Sequence, residues 1–465
     1  MDFDLCIIGA GTGGYVAALK AAQEGKKTLL IEKQALGGTC LNKGCIPTKA
    51  LLKSAEKWED LLHCEAFGLK ITAPSFSWDK IQTRKTAVIT QLGSGIAQLL
   101  KANKVTMLTG TAKLAAKNTV SIKNKAAVKT ITAENIILAT GSLPAKPPIN
   151  GNTLPGVLTS DELLDLQQLP NSMVIIGAGV IGLEFACILT AFGCKVTLVE
   201  MLPSILPPGD IDIQRRLGLA LRKKGITVKV KAAVQSIKQR GEELSLAIMA
   251  NGKEETLAAE KVLIATGRQP NFCLEELNNL GIAYTKHGIT VDEHMQTSLP
   301  GIYAVGDVTG KSMLAHSAAH QGLVAVANIL GTATVMDYKA IPSCVFTQPE
   351  IAFVGLTEQQ CKEQGLPVAI SKFNFAGNGK AITMGETDGL VKLIAEQTTQ
   401  KILGCHIIGP HASDLIMEGT LAVQQSLTAQ QLINTIHPHP TLSEAMSEAA
   451  LGLFGKMLHQ VNLRH

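Results

Sequence analysis

The segment DLCIIGAGTGGYVAALKAAQEGKKTLLIEK at residues 4–33 returns as NSMVIIGAGVIGLEFACILTAFGCKVTLVEM at 171–201. A repeat of this kind constrains the fold before composition does, because each copy has to be a supersecondary unit of its own. Both copies run strand, glycine turn, helix, strand and acid, and the spacing from Gly9 to Glu32 is 23 residues, as it is from Gly177 to Glu200. Gly9, Gly11 and Gly14, like Gly177, Gly179 and Gly182, fit G-x-G-x-x-G directly after a strand and at the start of a helix. The first glycine of such a triplet permits a tight turn, the second lets backbone approach a pyrophosphate, and the third permits close helix packing. The helix N-terminus then aims N–H groups at the anion. Two copies predict two dinucleotide sites, with Glu32 and Glu200 accepting from ribose hydroxyls. A carboxylate at Glu200 suits a free 2′-hydroxyl and repels a 2′-phosphate, and the following MLPSIL supplies no arginine, which favours NAD over NADP.

At 465 residues the chain has room for about three domains, and 46% hydrophobic residues is enough to give each a core. Pro, Gly and Asn interrupt the apolar periodicity at 142–156 and 267–271, which brackets the second copy. Beyond Pro342 the glycine turn does not recur; strands LVKLIAE and ILGCHIIG lead into helical SDLIMEGTLAVQQS, an α+β order. The expected fold class is α/β, with two Rossmann-like dinucleotide-binding domains and a C-terminal α+β domain. The net charge of +5 is spread along the chain without a run of like charge, so neither nucleic acid nor a membrane surface is indicated as a partner. The most apolar stretch, Met173 to Cys194, contains Glu184 and four glycines and reads as buried strand plus helix rather than a membrane span. The opening MDFDLCIIGAG carries two aspartates where a secretory signal has a basic region, so a cytoplasmic protein is expected.

Ten cysteines are far below the density of a disulfide scaffold, and only Cys40 and Cys45, in GGTCLNKGCIPTK, form a close pair. In a regular helix five residues rise roughly 7.5 Å, beyond the usual Cα separation of a disulfide at about 4.4–6.8 Å, so the backbone has to tighten, and Gly44 helps. Pro47 fits a first helical turn leading into KALLKSAEKWEDLL, which places Cys45 near a helix N-terminus, a setting that favours a thiolate. A disulfide closing so short a loop is labile rather than stapling, which suits catalysis. Two bland alternatives stand beside this: reduced core thiols, or half of a metal site. No second close cysteine pair completes four thiolate ligands, so no metal is expected.

The motifs Gly9-x-Gly11-x-x-Gly14, GGTCLNKGCIPTK, GAGVIGLE, ATGRQPN, GIYAVGDV and HPHPTLSE occur in the order found in pyridine nucleotide-disulfide oxidoreductases, which the chain resembles over nearly its whole length. The Pro-Thr-Lys-Ala-Leu-Leu ending of the cysteine motif and Glu200 resemble the branch that oxidises protein-bound dihydrolipoyl groups with FAD and NAD, in preference to the glutathione or mercuric reductase branches. Lys43 stands where many relatives carry an apolar or small residue, and is taken as tolerated variation. The resemblance implies that Cys40 is the interchange thiol and that Cys45 supplies the thiolate lying against the flavin. Lys49 and Glu184 match a pair near flavin N5. Gly306-Asp307 matches the motif that holds the ribityl chain, followed by Met313, Ala315 and His316 at the isoalloxazine; Thr140 and Gly141 also belong to the FAD site, and Gly267 to the NAD site.

His439 and Glu444 match the family's acid–base pair. Histidine titrates near neutrality and can hold the proton of a thiol while the carboxylate orients it. His437 lacks the matching position and is given a neighbouring role. The resemblance further implies an FAD-binding domain from 1–145 and 272–341, an NAD-binding domain from 146–271, and a dimerisation domain from 342–465 through which a homodimer brings His439 to the other subunit's cysteines. Expected partners are the lipoylated acyltransferase subunits of 2-oxo acid dehydrogenase complexes and the lipoyl protein of glycine cleavage.

Overall fold

A computed structural model describes residues 1–124 and 127–461. It divides the chain into two compact units, one made of 1–146, 158–168 and 266–337, the other of 147–157, 169–265 and 338–465.

In the first unit, strand β1 (Phe3–Ile8), helix α1 (Thr12–Gln23) and strand β2 (Thr28–Glu32) form the first copy of the repeat. β1 is central, with β2 parallel on one side and the long strand Val128–Leu138 parallel on the other. The crossover through α1 therefore leaves the end of β1 at the point where strand order reverses, the place where doubly wound sheets bind ligands. Leu5, Cys6 and Ile7 have no exposed surface, as expected of a parallel strand covered on both faces. Helix α2 (Gly38–Lys43) stops at Gly44, and α3 (Cys45–Leu62) starts at once, so the two cysteines stand on successive helices rather than on one. A Cβ at Gly44 would lie 3.1 Å from Thr39 O, which is why the break is made by glycine. Helix Ala315–Ile329 packs closely on α1: a Cβ at Gly322 would come 2.6 Å from Gly13 O.

The second unit holds the second copy: β3 (Ser172–Ile176), α4 (Val180–Ala191) and β4 (Lys195–Val199), with Thr227–Lys229 parallel beside β4 and Lys261–Ile264 parallel beside β3. The apolar stretch from Met173 is thus a strand and a helix, and no described helix is long and apolar enough to cross a membrane. Later in the same unit comes an antiparallel five-stranded sheet in the order Ser343–Val345, Glu350–Gly355, Ile402–Gly409, Leu390–Glu396, Val368–Asn374. Helices Ala412–Gln424 and Glu444–Gly452 cover it over a core that includes Phe373, Val391, Leu393, Ile407, Ile416 and Met446. Two Rossmann-like copies and an α+β sheet are thus the observed fold class.

One core position breaks the apolar pattern. Lys392, without exposed surface, donates to Asp210 Oδ1 at 2.8 Å, Asp212 Oδ2 at 2.6 Å and Glu358 Oε2 at 2.6 Å. Burial works to lower the ammonium pKa, and the three carboxylate bonds outweigh it and hold the pKa above the ordinary lysine value. At Asp210, burial works upward and is outweighed by Lys392 and other donors, so the carboxyl stays below its usual range. Lys392→Met, which leaves three carboxylates without their shared cation, should cost the second unit about 3–5 kcal/mol in denaturant titrations. In the wild type, the depressed Asp210 contributes stability that is present above the unfolded carboxyl pKa, about 3.9. It is lost as pH falls through the lower native value, so the acid limb of a stability profile, and not the alkaline limb, should flatten in Asp210→Asn.

Candidate active site

The two glycine turns are near copies in geometry as well as in sequence. Gly9 and Gly177 both have φ of +105°, a left-handed value that favours glycine. A Cβ at Gly14 would sit 1.9 Å from Gly9 O, and one at Gly182 would sit 2.0 Å from Gly177 O, so the third glycines are required by helix-to-turn packing. The middle glycines differ. A Cβ at Gly179 would meet no atom within 4 Å, and one at Gly11 would only touch Gly38 Cα at 3.8 Å. The fold does not need glycine there, and the missing side chain leaves the backbone of each turn open to close approach by a ligand. Gly11 and Gly179 are the N-caps of α1 and α4, neither makes a side-chain cap, and neither helix has an acid in its first turn, so both termini suit a pyrophosphate.

Each acid locks its own turn. Ala10 N–H donates to Glu32 Oε2 at 2.8 Å and Gln34 N–H to Oε1 at 2.8 Å; Ala178 N–H donates to Glu200 Oε2 at 2.8 Å and Leu202 N–H to Oε1 at 2.9 Å. The sequence singled out these carboxylates as ribose acceptors and missed this bracing. Both oxygens keep acceptor capacity, since each carries more than one lone pair.

Around the first turn, the unit gathers most of the residues assigned to the flavin. Asn271 N–H donates to Gly141 O at 2.9 Å, Thr140 Oγ1 donates to Asn271 O at 2.5 Å, and Ser142 Oγ donates to Asp307 Oδ2 at 2.5 Å. Gly306 N–H is held by Gln321 Oε1 at 2.6 Å, which fixes the Gly306-Asp307 turn against helix Ala315–Ile329. Ala315 and His316 open that helix, and Met313 lies just before it, 37% exposed. Gly267, assigned to the nicotinamide site, falls in this unit too, with φ of +109°.

Cys40 and Cys45 are close enough to hydrogen-bond to each other, both at intermediate exposure. Cys45 is the first residue of α3, and Lys49 lies one turn on. The Cys40 pKa is driven up, first by the hydrogen bond with Cys45, then by burial and by the Cys45 charge, while Lys49 opposes them. Tyr15 is a neighbour that sequence reasoning passed over: burial raises its pKa, and the Cys40 charge adds to that. Its only sequence signal is its place directly after Gly14.

The second unit supplies Glu184 and the histidines. Glu184 is buried on α4, and its Oε1 accepts from Phe346 N–H at 3.0 Å. His439 Nδ1 and Glu444 Oε1 are 2.9 Å apart, and Thr441 N–H donates to Glu444 Oε2 at 2.9 Å. Burial raises the Glu444 pKa, but the Thr441 N–H and His439 outweigh it, so the carboxyl titrates below its usual range and stays ionised at neutral pH. With Nδ1–H given to this carboxylate, Nε2 is left as a proton acceptor on a side chain 77% exposed. His437 has a carboxylate of its own: Nε2 is 2.9 Å from Glu418 Oε1, and this contact, ahead of opposing burial, raises its pKa. Lys43, read as tolerated variation, makes an ion pair with Asp161 at 3.4 Å.

Two glycine cradles, a thiol pair at a helix N-terminus and a histidine–carboxylate pair define a dinucleotide-dependent thiol–disulfide oxidoreductase, and the chain belongs to the pyridine nucleotide-disulphide oxidoreductase family, whose pattern it matches over residues 3–322. Residues 341–450 match that family's dimerisation domain. The chain is 42% identical to the dihydrolipoyl dehydrogenase of Bacillus subtilis (strain 168), with 98% of this chain and 99% of the relative covered. Among solved structures, it resembles LpdA from Mycobacterium tuberculosis (TM-score 0.90, 27% identity, 97% and 99% covered). It also resembles the Cu(II) complex of the HOCl-induced flavoprotein disulfide reductase RclA from Escherichia coli (TM-score 0.88, 29% identity, 97% and 99% covered).

Proposed function

We propose that this chain is a dihydrolipoyl dehydrogenase that works as a homodimer with FAD and NAD. The reading is carried by the Cys40–Cys45 thiol pair, hydrogen-bonded across the break between two helices beside a dinucleotide cradle, and is supported by relatives of that name over the full length. Residues 1–145 and 272–341 form the FAD-binding domain, 146–271 the NAD-binding domain, and 342–465 the dimerisation domain. Gly9, Gly11, Gly14, Glu32, Thr140, Gly141 and Asp307 hold FAD, with Met313, Ala315 and His316 along its ring; Gly177, Gly179, Gly182, Glu200 and Gly267 hold NAD.

The oxidised chain carries a Cys40–Cys45 disulfide. A thiolate of the dihydrolipoyl group attacks Cys40 Sγ; a bond forms between substrate sulfur and Cys40, and the S–S bond to Cys45 breaks to leave the Cys45 thiolate. His439 Nε2 takes the proton of the attacking thiol, and Glu444 stabilises the imidazolium. The second substrate thiol loses its proton and attacks the substrate sulfur of the mixed disulfide, which closes the lipoyl ring and returns Cys40 as a thiol. Two electrons now rest on the cysteine pair, and Lys49 offsets the negative charge that accumulates there. Bound flavin supplies the two-electron link between the dithiol and nicotinamide. Per turnover, one dihydrolipoyl group and one NAD⁺ become lipoyl disulfide, NADH and one proton.

In keeping with the family's dimeric arrangement, His439 serves the cysteines of the partner subunit; its tie to Glu444 and its exposed remaining face support that role. Lipoylated acyltransferases of 2-oxo acid dehydrogenase complexes, and the lipoyl protein of glycine cleavage, are the expected donors in the cytoplasm. The purified chain should form NADH from dihydrolipoamide and should leave NADPH and glutathione disulfide almost untouched. Glu200→Ala should narrow the preference of NAD over NADP. Rapid NADPH oxidation with glutathione disulfide, without lipoamide activity, would replace this reading by that of a glutathione reductase.

A further inference from the structure

The helix that carries Cys40 is held at both ends by Arg268, Asp161 and Lys43, residues that none of the roles above uses. Arg268 Nη2 donates to Thr39 Oγ1 at 3.4 Å and to Ser142 O at 2.9 Å, and Arg268 Nε donates to Ser142 Oγ at 2.8 Å. Ser142 Oγ in turn donates to Asp307 Oδ2. Arg268 Nη1 faces Asp161 Oδ1 at 3.8 Å, and Lys43 Nζ lies 3.4 Å from Asp161 Oδ2. Asp161 Oδ1 is buried and has no hydrogen-bond partner among the described residues, so the two cations are what balance this carboxylate. Thr39 immediately precedes Cys40, Lys43 ends its helix, and Gly44 follows with the break before Cys45. The guanidinium that reaches the first end of this turn also braces, through Ser142, the aspartate of the Gly306-Asp307 turn.

We propose that Lys43, Asp161 and Arg268 form a charged clamp that positions the Cys40–Cys45 turn and sets its disulfide–dithiol equilibrium. This rests on the reading of that pair as the redox couple. Cutting the disulfide releases the turn, and whatever restrains the reduced turn keeps the thiols at high effective concentration and favours re-closure. The opposite effect, cation stabilisation of a thiolate and hence of the reduced form, is the work of Lys49, the cation that acts on the Cys40 titration; Lys43 and Arg268 face Asp161 instead. Restraint therefore decides the sign, and loss of the clamp moves the couple toward dithiol. Lys43 is 48% exposed and its arm is weak, whereas Arg268, 12% exposed with several bonds, is the stronger one.

The test equilibrates flavin-loaded full-length chain with oxidised and reduced dithiothreitol; two electrons and two protons pass between the cysteine pair and the reagent. The disulfide fraction is read by acid quenching, alkylation and mass spectrometry, independently of turnover. Arg268→Met should shift the equilibrium about tenfold toward dithiol, which for a two-electron couple is about 30 mV. Lys43→Met should shift it about threefold in the same direction, Lys43→Arg should restore the wild-type value, and the double variant Lys43→Met/Asp161→Asn should shift no further than Asp161→Asn alone. Lys43 lies at the surface, so its variants keep the test valid if Arg268→Met loses flavin or fails to fold. Equilibria within twofold of wild type in the Lys43 and Asp161 variants would overturn the clamp. If the wild-type chain forms no Cys40–Cys45 disulfide at any ratio, the redox reading itself fails, and the clamp with it.

Discussion

Replacing His439 by alanine should lower dihydrolipoamide-dependent NADH formation by about 10²–10⁴-fold, the usual contribution of general acid–base catalysis, and should leave NADH oxidation by an artificial one-electron acceptor close to wild type. The geometry gives the reason for the split. His439 Nδ1 is engaged by Glu444 and Nε2 is free to take a proton; the thiol route needs that acceptor, and the artificial route deprotonates no thiol. Glu444→Gln should fall less far, since an amide oxygen can still orient the ring but does not stabilise its cationic form. Glu444 also braces the loop by accepting from Thr441 N–H, so circular dichroism of the variant should be compared with wild type before the loss is assigned to catalysis. Mixing His439→Ala chains with Cys40→Ser chains should yield heterodimers with one working site, because intact cysteines and intact histidine then come from different subunits. Verified heterodimers without activity would place the histidine in its own chain's site or outside the reaction.

Replacing either cysteine should abolish lipoyl turnover, by at least about 10⁴-fold, because the pair acts as one unit and half of it does nothing useful. The two variants should nevertheless differ in thiol titration. Cys45 is the main reason the Cys40 pKa is raised, through its hydrogen bond and its charge, with burial between them. Cys45→Ser therefore lowers the Cys40 pKa toward that of a buried but unopposed thiol, and alkylation of Cys40 should begin at lower pH than in the reduced wild type. Cys40→Ser, which keeps the thiol proposed to lie against the flavin and cannot form the disulfide, should show long-wavelength absorbance before any reduction, and Cys45→Ser should show none. An unshifted Cys40 alkylation profile in Cys45→Ser would show that the two thiols do not share a proton.

The part of the chain that could be read directly is the part where backbone geometry demands a residue type. Gly14 and Gly182 cannot bear a Cβ without striking the carbonyl of Gly9 or Gly177, and such demands recur wherever the turn recurs, so two copies announce two turns. The strands run apolar into these turns, over residues 5–8 and 173–176, because both faces are covered. The Cys40–Cys45 spacing was legible for a similar reason: five residues on one regular helix hold the thiols too far apart, so the backbone had to depart from that geometry near Gly44, and the structure does so by ending one helix and starting another there. What could not be read were contacts between residues distant in sequence that no local rule links. Asp161 looks like a capping-turn acid of SDEL and Lys43 like a solvated helix end, yet they meet each other and Arg268. Lys392 interrupts a strand that otherwise reads as core, and only the approach of Asp210, Asp212 and Glu358 makes its burial tolerable.

By itself, then, the sequence determined the two glycine turns, the acids 23 residues beyond them, the tightened cysteine pair and the His439–Glu444 spacing, because each is a short-range pattern whose residue types are forced by backbone sterics or by the reach of a side chain. Only the tertiary structure decided which charges neutralise one another and which donors reach the carboxylates of Glu32, Glu200 and Asp307 from a distance in sequence. Those choices depend on how sheets and helices bring remote residues within about 3 Å, where desolvation makes a charge costly without a partner and stabilising with one.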